Sequence, residues 1–93
     1  MLVFQDEEII KGEKKIAEWR SKIVRLQGHL NNASDNISDQ FVDMLLKLDE
    51  MKIKVEELKN PGSTSFETIR DEIIEIDVHI GREYDRIQRK LYS

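Results

Sequence analysis

Apolar residues recur along this chain at helical intervals in three segments. In the first, Ile9, Ile16, Ile23 and Leu30 return every seven residues, and Trp19 and Leu26 follow Ile16 and Ile23 by three. That is the a/d seam of a heptad repeat. Ile10, Ala17 and Val24 repeat beside it and widen the stripe, as a helix packing on two neighbours requires. Asp6, Glu7 and Glu8 stand in the first turn, where the helix dipole favours acids. Gly12 interrupts the segment at a cost of about 1 kcal/mol relative to alanine.

In the second segment Ile37, Phe41, Met44, Leu48, Met51, Val55 and Leu58 alternate spacings of four and three without error. An unbroken register of this kind predicts coiled-coil-like packing. The polar run Asn31, Asn32, Ser34, Asp35 and Asn36 competes with the helical backbone for hydrogen bonds. It predicts a turn over 31–34, with Ser34 or Asp35 capping the next helix. No proline or glycine forces a break there, so one continuous helix over about 6–59 competes with that reading.

The second segment must stop at Asn60-Pro61, because proline cannot continue the ladder and Asn60 suits a left-handed C-terminal position. Thr64 with Glu67 three residues later fits a capping box. The third segment then carries Phe66, Ile69, Ile73, Ile76 and Ile80, followed by Tyr84, Ile87 and Leu91. Counted by its apolar residues, it stutters between Ile80 and Tyr84, where Gly81 lies.

The expected fold is therefore all-α. Helices over about 6–30, 35–59 and 65–92 form an elongated antiparallel three-helix bundle with heptad packing, a single domain over residues 1–93. Short connections make consecutive helices antiparallel neighbours.

With Phe41 and Ile73 at position a of their helices, Val42 and Ile74 fall at b, while Leu46, Ile53 and Val78 fall at f, away from the seam. Leu45 falls on its shoulder. Val42, Leu46, Ile53, Ile74 and Val78 cluster by helical spacing on single faces, and such contiguous apolar patches mark contact sites. These five are the candidate partner-binding residues. The partner expected on them is a protein, most simply another copy of the chain in a homodimer or higher homo-oligomer.

Composition narrows the class further. Of the 93 residues 37% are charged, with twelve isoleucines, eight leucines, two alanines and one proline, which describes long helices with bulky seams and not an acidic disordered chain. No cysteine is present, which excludes disulfides and cysteine-based zinc sites. The net charge is −4, and no third of the chain is basic, which argues against nucleic acid. No stretch approaches the ~18 apolar residues of a membrane span. The opening MLVFQDEEII lacks the cationic start of a signal peptide and its apolar run is four residues long. A cytoplasmic location is the expectation, with signal-less export left open.

Candidate chemistry is sparse. His79 has Glu75 four residues before it and Glu83 four after, a row that reads as ordinary i,i+4 pairing on a polar face. Di-iron bundles instead project Glu-x-x-His pairs inward. No metal or cofactor is expected. His29, at the end of the first segment, suits the helix dipole. Asp71, Glu72, Glu75 and Asp77 read as a solvated helix face, and Arg82, Arg86, Arg89 and Lys90 are interleaved with Glu83 and Asp85. Trp19 follows the seam and reads as a core anchor. No nucleophile elbow or phosphate-cradling glycine loop is present, so an enzyme is not expected.

Trp19 within a heptad resembles, in outline, the first helix of spectrin-like three-helix repeats, but the second tryptophan of that pattern is missing and no residue role carries over. The Asn60-Pro61-Gly62-Ser63 junction resembles the turn of small helical hairpin subunits of bacterial secretion systems, a likeness carried by Asn60 and Pro61. The W-x-G turn of small secreted hairpin proteins is absent. The expected function is a non-enzymatic protein–protein interaction module: an adaptor, scaffold or small regulatory subunit. The competing expectation is a structural or chaperone-bound component of a secretion-system or phage assembly.

Overall fold

The computed structural model describes residues 4–30, 35–60, 62 and 65–92. Three helices account for almost all of them: α1 Phe4–Gln27, α2 Asp35–Lys59 and α3 Phe66–Tyr92. No strand occurs among the described residues, and the fold is the all-α three-helix bundle that the heptads predict. Its extents are 50 × 22 × 16 Å, close to the ~40 Å length of one 27-residue helix, so the three rods lie nearly side by side.

Cross-helix contacts give the directions. Glu13 near the start of α1 meets Lys59 at the end of α2, and Gly12 lies against Val55. Lys54 reaches Glu72, and Gln40 meets Lys90 near the opposite end of α3. Trp19 reaches Asp77. The path is up-down-up, with α1 and α3 parallel, and the continuous helix over 6–59 is ruled out. The predicted turn at 31–34 lies outside the described residues.

Local chemistry explains the ends. Gly28, His29 and Leu30 donate backbone hydrogen bonds to Arg25, Leu26 and Gln27 in i to i−3 fashion, so α1 tightens and closes three residues earlier than its apolar pattern suggests. After α2 the left-handed conformation falls on Gly62, with φ of 63°, and not on Asn60. Glycine adopts it without the steric penalty of a Cβ. α3 is capped by Ser65, whose Oγ accepts the Thr68 backbone N–H at 3.1 Å and also lies 2.6 Å from the Thr68 hydroxyl. The cap therefore sits one residue later than Thr64, which lies outside the described residues.

All seven apolar seam residues of α2 are buried, which makes α2 the spine of the core. Ile69, Ile73, Ile80 and Ile87 of α3 and Ile23 and Leu26 of α1 complete it, with Ile9, Ile16, Trp19, Phe66, Ile76 and Tyr84 packed around them. The second row of α1 does not join them. Ile10 and Val24 are 50% and 61% exposed, and Ala17 is exposed as well. α1 meets both neighbours with the face carrying Gly12, Ile16 and Trp19, which leaves that row turned outward.

The stutter expected in α3 is also absent from the packing. The helix runs unbroken from Phe66 to Tyr92, and the heptad passes through Glu83, three residues after Ile80. Glu83 is only 8% exposed. The seam keeps its register by placing a carboxylate at a d position, a solution invisible to a count of apolar residues.

Candidate functional site

All five candidate contact residues are exposed: Val42 53%, Leu46 57%, Ile53 60%, Ile74 54% and Val78 46%. They do not form one surface. A helix turns by about 100° per residue, and the flanks of each helix are marked by its contacts. On α2, Lys52 and Glu56 line the groove beside α1, while Lys47, Glu50 and Lys54 line the groove beside α3. Val42, Leu46 and Ile53 fall between those flanks, facing straight away from the core. On α3, Ile74 lines the groove toward α1 with Gly12, Lys15 and Arg70. Val78 is one helical turn further along the same shoulder. The structure thus brings Val42, Leu46 and Ile53 together on one side, and Ile74 with Val78 on another.

Their charged rims differ. The rim of the outer α2 face carries Asp39, Asp49, Glu50 and Glu56, of which Asp49, Glu50 and Glu56 pair with Lys52, Lys47 and Lys59 of the same helix, while Lys54 reaches Glu72 at 2.6 Å and Lys59 also Glu13 at 3.7 Å. The Glu72 carboxylate, hydrogen-bonded to Lys54, holds the lysine's pKa above its ordinary value. The exposed row of α3 runs Glu67, Asp71, Ile74, Val78, Arg82, Asp85, Arg89, so two acids precede the apolar pair and two arginines, with Asp85 between them, follow it.

The acidic cluster of α3 is divided between neighbours instead of being a purely solvated face. Asp77 accepts the Trp19 indole N–H through Oδ1 at 2.6 Å, and Lys15 lies 3.8 Å from its Oδ2. Trp19 also meets the Tyr84 ring edge-on, centroids 5.6 Å apart, and carries the Lys22 ammonium 4.8 Å above its own ring. The contacts with Asp77 and Tyr84 tie α1 to α3.

One polar cluster escaped the sequence reading. His79 does not lie on an outer face: with Glu75 it lines the groove between α2 and α3. Its Nε2 lies 3.2 Å from Oδ2 of Asp43 on α2. Glu83, one turn along α3, brings a carboxylate oxygen to the same place, and the three donor atoms lie within 4.8 Å of one another. Asp43 and His79 are half-exposed, while Glu83 reaches in from the seam and receives Arg86 Nη1 at 3.4 Å. A heptad count that admits polar residues finds Glu83. No sequence signal locates Asp43, because the rotation of α2 against α3 sets that pairing.

No helix among the described residues is long and apolar enough to cross a membrane. No family model, characterised protein or solved structure matches the chain.

Proposed function

We propose that the chain is a non-enzymatic helical interaction module that pairs with a second copy of itself through α3 and presents α2 to a partner protein, in the manner of an adaptor, scaffold or small regulatory subunit. The observation that supports this reading best is the change of sign along the exposed row of α3. Glu67 and Asp71 precede Ile74 and Val78, and Arg82, Asp85 and Arg89 follow them, a net change from two negative charges to one positive. An antiparallel copy, with the twofold axis between Ile74 and Val78, sets each Ile74 against the other copy's Val78. The same placement brings Asp71 opposite Arg82 twice over. An isologous contact demands this self-complementarity. The α2 face lacks such an order of charges: its acids Asp49, Glu50 and Glu56 alternate with the lysines that pair with them, and among the described residues only Asp39 at its start stands without a lysine beside it. That face suits an amphipathic helix.

Sedimentation velocity from low to high micromolar concentration tests the reading. The expected result is a discrete dimer that Ile74→Glu converts to monomer. Asp71→Arg alone should weaken it, and the exchanged pair Asp71→Arg with Arg82→Asp should restore it. A wild-type chain that stays monomeric throughout, or a dimer indifferent to Ile74→Glu, overturns the proposal.

A second reading, an assembling subunit of a secretion or phage structure, draws on the outward row of α1. Ile10, Ala17 and Val24 lie there beside Lys14, Arg20 and Arg25, none of which has an ion-pair partner among the described residues. That row complements the α2 face, and a contact between two different faces propagates into a ring or filament. Growth in size without a plateau in the same experiment selects this reading over the dimer.

A further inference from the structure

The geometry points to a divalent transition-metal site of zinc-like chemistry, formed by Asp43, His79 and Glu83 across the α2–α3 seam. The donor set is mixed, one imidazole and two carboxylates, and comes from two helices. His79 and Glu83 are i,i+4 on α3 and project to one side, and Asp43 closes the set from α2. Zinc takes nitrogen and carboxylate oxygen at about 2.0–2.2 Å, so two ligand atoms on one ion stand roughly 3–4 Å apart. The Asp43 Oδ2 to His79 Nε2 separation of 3.2 Å already matches. Glu83 starts within 4.8 Å and needs only a modest swing of its carboxylate.

The burial of Glu83 adds to this reading. The residue occupies a core position of an otherwise apolar seam at 8% exposure. The partner it has is an exposed arginine at a long 3.4 Å. A carboxylate so placed is costly unless a cation is close. A bound ion among Asp43, His79 and Glu83 supplies that charge from the seam side, leaving Arg86 as an outer partner that orients the carboxylate. The half-exposed Asp43 and His79 give an entry path and leave room for water as a further ligand. An imidazole with two carboxylates suits zinc, nickel or copper better than magnesium or calcium, which prefer all-oxygen shells.

Chelator-dialysed full-length chain titrated with zinc chloride by calorimetry tests the site, with thermal unfolding in parallel. One zinc per chain is expected. The unfolding midpoint should rise by about 10 °C at free zinc a hundredfold above the dissociation constant, and magnesium should leave it unchanged. His79→Ala, Asp43→Asn and Glu83→Gln should each weaken binding at least tenfold. Glu83→Gln keeps the side-chain shape, so a purely register-setting role for Glu83 would leave zinc binding intact in that variant. No binding by the wild type at micromolar zinc, or equal binding by His79→Ala, overturns the proposal.

Discussion

Gly12 of α1 lies so close to Val55 of α2 that a methyl group on its Cα would stand 2.7 Å from the valine Cγ2. The glycine is therefore a point of close approach between these helices, and its cost in helix propensity is the condition for that approach. Gly81 of α3 is the contrast. A methyl there meets the Trp19 ring at 3.8 Å, an ordinary contact. Alanine in a helix interior is favoured over glycine by about 1 kcal/mol at either position. At Gly12 the overpacking cost of about 1–3 kcal/mol opposes it, and Val55, β-branched and buried, has nowhere to turn. Gly12→Ala should lower stability in urea denaturation by about 1 kcal/mol, while Gly81→Ala raises it by up to about 1 kcal/mol. Equal signs for the two would remove the close-approach argument.

The same geometry shows what the sequence could and could not reveal. The seam of α2 was fully legible, because seven residues at strict 4,3 spacing admit one buried face. The row Ile10, Ala17, Val24 was not, because a wide stripe on one helix says nothing about the angle at which neighbours meet it. Close approach at Gly12 helps set that angle and leaves the row outside. The cap moved from Thr64 to Ser65 because adjacent hydroxyl residues offer the same chemistry and only the path of the backbone chooses between them. Trp19 with Asp77, and Asp43 with His79, are separated by 58 and 36 residues. Their pairing depends on axial offsets that no local pattern records.

Trp19 and Asp77 should behave as one unit. The indole N–H donates to a charged acceptor, and such bonds contribute roughly 1.5–3 kcal/mol. Asp77→Ala is expected to destabilise the bundle by about 1–2 kcal/mol and to change the fluorescence of Trp19, the sole tryptophan. Trp19→Phe should cost at least as much, and the double variant less than the sum of the two. Additive losses would mean that the 2.6 Å contact contributes nothing to holding α1.

Leu46 and Leu48 are two residues apart on α2, one 57% exposed and the other 4%. Leu48→Glu sets an unpaired charge in the core and should unfold the chain, with loss of far-ultraviolet circular dichroism. Leu46→Glu should keep the helical signal and change stability by less than about 0.5 kcal/mol. If both variants lose the helical signal alike, the division into inward and outward rows is wrong.

Lys54 makes a small alkaline-sensitive contribution to the stability of the bundle. Its pKa is raised above 10.5 chiefly by the hydrogen bond to Glu72, with Glu57 adding to the effect against desolvation. A folded-state pKa above the unfolded one means that the folded protein holds the proton more tightly. The contribution is complete below pH 10.5 and disappears as pH rises through the folded value. The stability difference between wild type and Lys54→Gln should therefore stay constant from neutral pH to about pH 10 and shrink above it. A difference that is unchanged at pH 11.5 would separate Lys54 from the effect.

Glu83 is the residue at which the fold departs furthest from an apolar seam, and its replacement should separate stability from binding. Buried charges exchanged for apolar side chains of similar volume commonly leave a protein neutral or more stable by about 1–4 kcal/mol. Glu83→Leu continues the apolar d series of Ile69 and Ile76, and it removes one carboxylate from the group formed with Asp43 and His79. In chelator the variant is expected to unfold at higher urea concentration than wild type, because desolvation of the carboxylate is relieved and only the 3.4 Å contact with Arg86 is lost. In zinc the order should narrow or reverse, since only the wild type gains from the ion. A variant less stable than wild type in chelator would show that the Arg86 pairing outweighs desolvation, and that the carboxylate stands at its d position as a structural partner.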